Sequence, residues 1–310
     1  MERTPWDPEG VEVRLDEAGH LADPDAAARL DLRQFYKDLV GARVTDQQLT
    51  RLGLPMWAPQ AGTEAVHLAL AAALHEEDWV FSGGRDVPLA RARGMALEEL
   101  LRQLLGLSGA RVRAAAGTGA VGSSEHNLVP PTESLGLQVA LATGMARAQQ
   151  LGRCPGVSVA TFGEGLTTVG PVYEALSIAA AGGLPLVFVC RSQVWPDRPP
   201  AEAGVFGEPI QTRARAMGVW SRRVDGADPV ALLDAMDTAC ARARDGLGPC
   251  LVECVVTPLH GSPPGHRDPV ERLRLHLQGE KAWTDTFQDV VEAEARSAFQ
   301  KALQELGVEQ

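Results

Sequence analysis

No stretch of this 310-residue chain approaches the roughly 18 uninterrupted apolar residues of a membrane-spanning helix; even the alanine-rich run Val66 to Leu74 stops at His75-Glu76-Glu77-Asp78. No membrane span is expected. Basic residues are also short: 29 Lys and Arg stand against 40 Asp and Glu, a formal net charge of -11. Non-specific nucleic-acid binding rests on clustered cations that neutralise phosphates, so no nucleic-acid partner is expected and any phosphate must be bound locally. The start, Met1 to Asp25, is polar and acidic and lacks the apolar core of a signal peptide, which makes a cytoplasmic location the expectation. Cysteine is confined to Cys154, Cys190, Cys240, Cys250 and Cys254, and the spacing shows no paired metal-ligand motif. Reduced, mostly buried thiols are expected. Aromatic residues make up only 5% of the chain.

What is present is an ordinary globular balance, 45% hydrophobic and 22% charged, on a chain long enough for a large α/β core. Residues 1–24 read as a polar N-terminal extension, and 25–310 as a single domain with no separating linker. Apolar spacing predicts an amphipathic helix over Asp25–Leu39, a nearly all-apolar one from Gly62 to Leu74, and others over Met95–Leu105 and Leu135–Gln150. From Val157 the period changes. Val157–Phe162 is β-prone, Gly163-Glu164-Gly165 is a turn, a helix runs from Gly170 to Ala181, and Leu184–Cys190 is the next strand. The unit repeats with a strand over Val219–Val224, a helix over Asp228–Arg244 and a strand over Cys250–Val256, before closing helices at Asp268–Leu277 and Phe287–Leu306. A mostly parallel sheet flanked by helices follows, with ligands expected at the carboxyl ends of its strands. Val194–Gln211, rich in proline, reads as a long irregular loop. Gly117 to Gly122 matches a dinucleotide fingerprint in letters, but it lies in a loop with no strand before it and no helix after it, which argues against a nicotinamide enzyme.

Glu164 sits between two glycines at a strand end, where the backbone can approach a ligand and a carboxylate can hold a hard cation. Arg191-Ser192-Gln193 ends the next strand, so a guanidinium and an amide reach the same sheet edge. Arginine neutralises phosphate oxygens, and a carboxylate with an amide oxygen and a backbone carbonyl suits magnesium. The same letters also suit an ordinary glycine turn with a surface acid and a surface arginine.

Taken in order, Gly62-Thr63-Glu64-Ala65, Asp78-Trp79-Val80-Phe81 with Arg85 and Arg93-Gly94, Phe162-Gly163-Glu164-Gly165 with Gly170 and Glu174-Ala175-Leu176, Leu184-Pro185, Cys190-Arg191, Asp225-Gly226, Gly248-Pro249 and Asp268-Pro269 carry a resemblance. The chain resembles the alpha subunit of the thiamine-diphosphate-dependent first component of 2-oxoacid dehydrogenases, the branched-chain kind above all, from Phe35 to the last helix. The resemblance implies a thiamine-diphosphate-binding fold and a small 2-oxoacid substrate that is decarboxylated, its acyl group passing to a lipoyl-bearing acyltransferase component. It also implies a beta subunit that completes the site in an assembly of two alpha and two beta chains. Carried over by position, Glu164, Gln193 and the carbonyl of Trp195 would hold magnesium, and Arg85 and Arg191 would hold the diphosphate between Gly163 and Gly165. Leu135 would prop the bent cofactor, with plain core as its other reading. His260 is the nearest candidate for the acid–base histidine and His126 a second, an ordinary surface residue being the alternative for both. Three positions depart from the pattern: Gly84 stands for a tyrosine, Gln193 for an asparagine and Pro258 for an arginine. They open a second possibility, a non-catalytic paralogue that serves as a structural or regulatory subunit.

Overall fold

The computed structural model describes residues 10–28, 30–54, 57–107, 109, 120–153, 155–193, 208–259 and 267–308. Helix α1 (Leu32–Arg51) starts at Asp31, whose carboxylate accepts from the Gln34 backbone N–H. The single helix expected over Asp25–Leu39 is thus two elements. Pro24–Ala27 forms a short 3-10 turn capped by Asp23, and the apolar face of α1 then continues past Leu39 to Val44 and Leu49. α2 (Glu64–Ala73) is buried on almost every side, as its composition implies. Then come β1 (Trp79–Phe81), the short helix α3 (Val87–Ala92), which the sequence pattern does not signal, α4 (Leu97–Leu104), β2 (Leu128–Val129) and α5 (Leu137–Gln150). The repeating half consists of β3 (Ser158–Gly163), α6 (Gly170–Gly182), β4 (Leu186–Gln193), α7 (Ile210–Ala216), β5 (Trp220–Asp225), α8 (Pro229–Arg244) and β6 (Cys250–Val256). α9 (Pro269–Gly279) and α10 (Asp285–Glu305) follow.

The six strands among the described residues are parallel, in the order β2-β1-β3-β4-β6-β5. The central strands β3, β4 and β6 bury both faces, as strands of parallel sheets do. Val159, Val187, Val189 and Val252 point into the core under α1, α2, α8, α9 and α10. Their strand neighbours Ala160, Phe162, Phe188, Cys190 and Leu251 point into the layer under α5, α6 and α7. Cys190, Cys240, Cys250 and Cys254 are buried and unpaired, and burial pushes the Cys240 thiol up to about 12; Cys154 lies outside the described residues.

The edge strand β5 is not left bare. Glu12 forms a parallel bridge with Val224, and the Arg14 and Leu15 backbone N–H groups donate to Asp228 Oδ2 at 2.6 and 2.8 Å. Asp228 Oδ1 meanwhile caps α8 through the backbone N–H groups of Val230 and Ala231. One carboxylate therefore starts a helix and fastens the early chain. Loss of a cap of this kind costs about 1 kcal/mol, and the two further orphaned donors raise the expected cost of Asp228→Ala to about 2 kcal/mol. Urea unfolding of the two proteins measures the difference.

Candidate cofactor site at the carboxyl edge

The β3–β4 register pairs Gly163 with Arg191, so the glycine-acid-glycine turn and the arginine leave the sheet side by side. Glu164 opens a 3-10 turn, Glu164–Thr168. Burial raises the pKa of its carboxyl, while its own backbone N–H, that of Gln193 and the charges of Arg191 and Arg85 pull the other way. Glu164 and Gln193, expected together around a metal, are thus brought together. An added Cβ at Gly163 or Gly165 would meet nothing within 4 Å. The space in front of this turn is open.

β1 lies on the other side of β3, and the loop that leaves it, Ser82 to Asp86, is folded back tightly. A Cβ at Gly83 would stand 2.3 Å from the Thr161 carbonyl oxygen, and the Gly83 N–H donates to Thr161 Oγ1 at 2.8 Å. Arg85 takes a left-handed backbone, φ 61°. Behind it Asp86 is fully buried and is the hub of the edge. It accepts from Ser82 Oγ and Thr161 Oγ1 at 2.6 Å each and from Arg191 Nη1 at 3.0 Å, with His67 Nε2 also 3.0 Å away. Burial alone would raise its pKa; the Arg191 charge and the bonds from His67 and Ser82 outweigh that and hold the carboxyl well below the usual range. Burial lowers the His67 pKa more than Asp86 raises it, so the imidazole is neutral near pH 7.

The two arginines differ. Arg191 is tied down by Asp86 and by the Gly84 carbonyl, at 3.0 Å each. Arg85 is exposed, and its guanidinium makes no hydrogen bond or ion pair to any described residue. Its pKa is lowered first by burial and then by the neighbouring Arg191 charge, with Glu164 partly offsetting both. A cation at a cleft mouth with no partner among the described residues, beside a second cation, is a seat for an anion. Both line a cleft of about 350 Å³ with Gly84, Gly163, Gln193 and Gln60. A larger hollow, about 530 Å³, lies among α1, α2, α3 and α10 and has none of these groups.

The far wall of the cleft is Ala58 to Thr63. Gly62 lies under the strap that follows β6: a Cβ there would be 2.3 Å from the Thr257 carbonyl oxygen, and φ is 96°. Glu64 is an anchor rather than a ligand, accepting from the Gly62 N–H at 2.8 Å and from Arg43, which also grips Asp268 at 2.9 and 3.0 Å. Burial sets the neighbouring Asp46 pKa at about 6, although its carboxylate accepts from the Gln60 N–H. A raised acid favours the protonated folded state, so stability is lost as pH climbs from about 4 through 6. Asp46→Asn is accordingly expected to leave stability at pH 4 unchanged and to add about 2 kcal/mol at pH 8, read from denaturation at both values.

Two expected residues are placed elsewhere. Leu135 stands in the turn before α5, 70% exposed, so it is not core and does not line the cleft. His126 precedes β2, at the amino end of a parallel strand and so across the sheet from the cleft. Trp195 and His260 lie outside the described residues, as do most of the Val194–Gln211 loop and Gly117–Gly119. Asp86, His67 and Gln60 were not anticipated; the one signal was an acid directly after the Gly84-Arg85 turn.

Residues 43–261 match the dehydrogenase E1 component family. This chain belongs to that family. The matched span opens on Arg43, which clamps Glu64, and contains every element of the cleft. Among relatives of the E1 family, the pyruvate dehydrogenase E1 component subunit alpha of Bacillus cereus is 28% identical over 93% of this chain and 82% of its own length. The 3-methyl-2-oxobutanoate dehydrogenase subunit alpha of Mycobacterium tuberculosis is 30% identical over 86% of this chain and 75% of its own. In three dimensions the chain is similar to transketolases from Campylobacter jejuni (TM-score 0.54, 17% identity, 88% of this chain) and Leishmania mexicana (TM-score 0.52, 18% identity, 87% of this chain). It spans 50% and 45% of those chains, and the likeness is one of fold.

The residues at the carboxyl edge fit a magnesium diphosphate. Among the described residues no group of three or more His, Cys, Asp and Glu is placed to hold a metal. A single carboxylate with an amide suits a cation that takes its remaining ligands from phosphate oxygens and water.

Proposed function

We propose that this chain is the alpha subunit of a thiamine-diphosphate-dependent 2-oxoacid dehydrogenase of the branched-chain type, built as one cofactor-binding domain over residues 25–310 behind a polar extension, 1–24. Its partners are a beta subunit, in an assembly of two alpha and two beta chains, and a lipoyl-bearing acyltransferase component that receives the acyl group. The expected setting is the cytoplasm, and no helix among the described residues is long and apolar enough to cross a membrane. The observation that carries this reading is the Arg85 guanidinium, without a partner among the described residues, lining one cleft with Arg191 and with Gly163 of the acid turn, an arrangement that suits a metal-bound diphosphate.

Thiamine diphosphate, when bound, supplies the electron sink for decarboxylation. The chain itself contributes position and charge. Arg85 takes the diphosphate, Arg191 is held rigid by Asp86 so that it shapes the cleft wall, and Glu164 with Gln193 and the Trp195 carbonyl takes magnesium. Gly163 and Gly165 would leave room for the phosphates, the exposed Leu135 would prop the bent cofactor, and His260 would serve as acid–base group. Gly84, Gln193 and Pro258 set the loss of affinity to be expected against members with the full ligand set.

Calorimetric titration of the assembled alpha–beta complex with thiamine diphosphate tests the reading. Saturable heat that depends on magnesium is the expected outcome. Absence of heat at millimolar cofactor would overturn it and leave the non-catalytic, structural subunit.

A further inference from the structure

The turn that carries Glu164 is held by hydroxyls rather than by packing at its glycines. A Cβ at Gly163 or Gly165 would meet nothing within 4 Å, and glycine adds backbone freedom of its own. Yet every carbonyl from Glu164 to Thr167 is engaged by the chain itself. Thr167 Oγ1 donates to the Glu164 carbonyl at 2.6 Å and Thr168 Oγ1 to that of Gly165 at 2.8 Å. The Val169 N–H donates to the Leu166 carbonyl at 3.1 Å, and the Tyr173 hydroxyl to that of Thr167 at 2.8 Å. The carbonyls thus serve the turn, and the Glu164 carboxylate is what it presents to the cleft.

Tyr173 is the donor that reaches in from another helix, α6. Its oxygen in turn accepts from Arg213 Nη1 on α7, and the Arg213 guanidinium lies over the Tyr173 ring, 5.8 Å from the centroid. A guanidinium can only donate, so it leaves the phenol proton for the Thr167 carbonyl and fixes the direction of that bond. α7 reaches the other expected ligand as well. The Gln211 N–H donates to Glu253 Oε2 at 3.0 Å, and Ser192 Oγ, next to Gln193, donates to Oε1 of the same carboxylate at 2.8 Å. One helix is therefore fastened to both ligand-bearing segments, to the Glu164 turn through Arg213 and Tyr173, and to the end of β4 through Glu253.

Magnesium demands near-ideal octahedral geometry at about 2.0–2.1 Å, whereas calcium accepts oxygen ligands at about 2.3–2.6 Å in flexible arrangements. Ligands on two separate strand ends suit the smaller ion only when their spacing is fixed. Resting on the functional reading above, we propose that Tyr173 and Arg213 are positioning residues, which brace the Glu164 turn against α7, fix the spacing of Glu164 and Gln193, and so select magnesium over a larger divalent cation.

The test uses the assembled complex with its beta subunit, in excess thiamine diphosphate, titrated calorimetrically with magnesium and separately with calcium. Tyr173→Phe keeps the ring and removes the hydroxyl. It is expected to raise the magnesium Kd by about fivefold, the worth of one hydrogen bond, and the calcium Kd by less than about twofold. Arg213→Met, which removes the donor to Tyr173, is expected to shift the ratio the same way and is the variant to read should the first fail to assemble. Equal weakening of both ions would overturn the inference, since a pair that merely stabilises the turn has no preference between them. An unchanged magnesium Kd would overturn it too, as would failure of both variants to assemble, which would make the pair part of the fold rather than of the metal geometry. Absence of magnesium-dependent heat in the unmodified complex would overturn the functional reading and this inference together.

Discussion

Asp86→Ala is expected to destabilise the protein by about 3–5 kcal/mol, the range for removing one partner of a buried ion pair. The substitution strands the Arg191 cation, 9% exposed, and takes the acceptor from two hydroxyls, Ser82 Oγ and Thr161 Oγ1, and from the face of His67. Asp86→Asn keeps the shape and loses the charge, so a smaller loss is expected. The sign with pH separates charge from shape. A carboxyl whose folded pKa is depressed contributes stability that is complete above its unfolded value near 4 and is lost as pH falls through the folded one. The gap between Asp86 and Asp86→Asn should be widest at neutral pH and narrow steadily as pH falls below about 4. Guanidinium unfolding across that range reads it; a gap that does not vary with pH would mean that the charge contributes nothing.

Arg85→Gln has the opposite profile. The Arg85 side chain holds nothing among the described residues in place, and its charge stands against Arg191, so stability should hold or rise slightly. Cofactor affinity should fall by about a hundredfold, because a charge-assisted bond to a phosphate oxygen is worth about 1.5–3 kcal/mol. Glu164→Ala should remove the magnesium dependence of whatever binding is left. Calorimetry of both variants with and without a chelator gives the two numbers. A loss of stability without a loss of affinity in Arg85→Gln would place the diphosphate elsewhere.

The contrast between these variants mirrors what could be read from the residues alone. β3, the acid turn and β4 were legible because they lie within one local unit, in which a change from helical to alternating period is visible and the parallel register then places Gly163 beside Arg191. Glu164 and Gln193 follow from the same register. Asp86 was not legible as a hub, since its partners His67, Thr161 and Arg191 are 19, 75 and 105 residues away and nothing in the local pattern links them. The motif Gly62-Thr63-Glu64-Ala65 was visible as a signature, but its physical reason is long-range too. The glycine makes room for the Thr257 carbonyl, and the acid pins its own loop to Arg43. Leu135 shows the limit from the other side, as an apolar letter in a helical pattern that the chain leaves outside its own core. Gln60 could not be found by pattern at all; what marks it is a buried carboxamide without a partner among the described residues.

The fastening of residues 12–15 also has a consequence in time. Leu15 is fully buried, yet the carboxylate that receives its N–H lies 213 residues later, and Arg272, which donates to the Leu15 carbonyl, lies 257 residues later. At ribosomal speeds of about 5–20 residues per second, that first partner follows Leu15 by about 10–40 s. Over that interval the early segment lacks this docking site, and β5 itself joins the sheet only when β6 has been made. The first residues made can thus dock only after α8 has begun, and a nascent chain stalled before α8 is expected to leave them exposed.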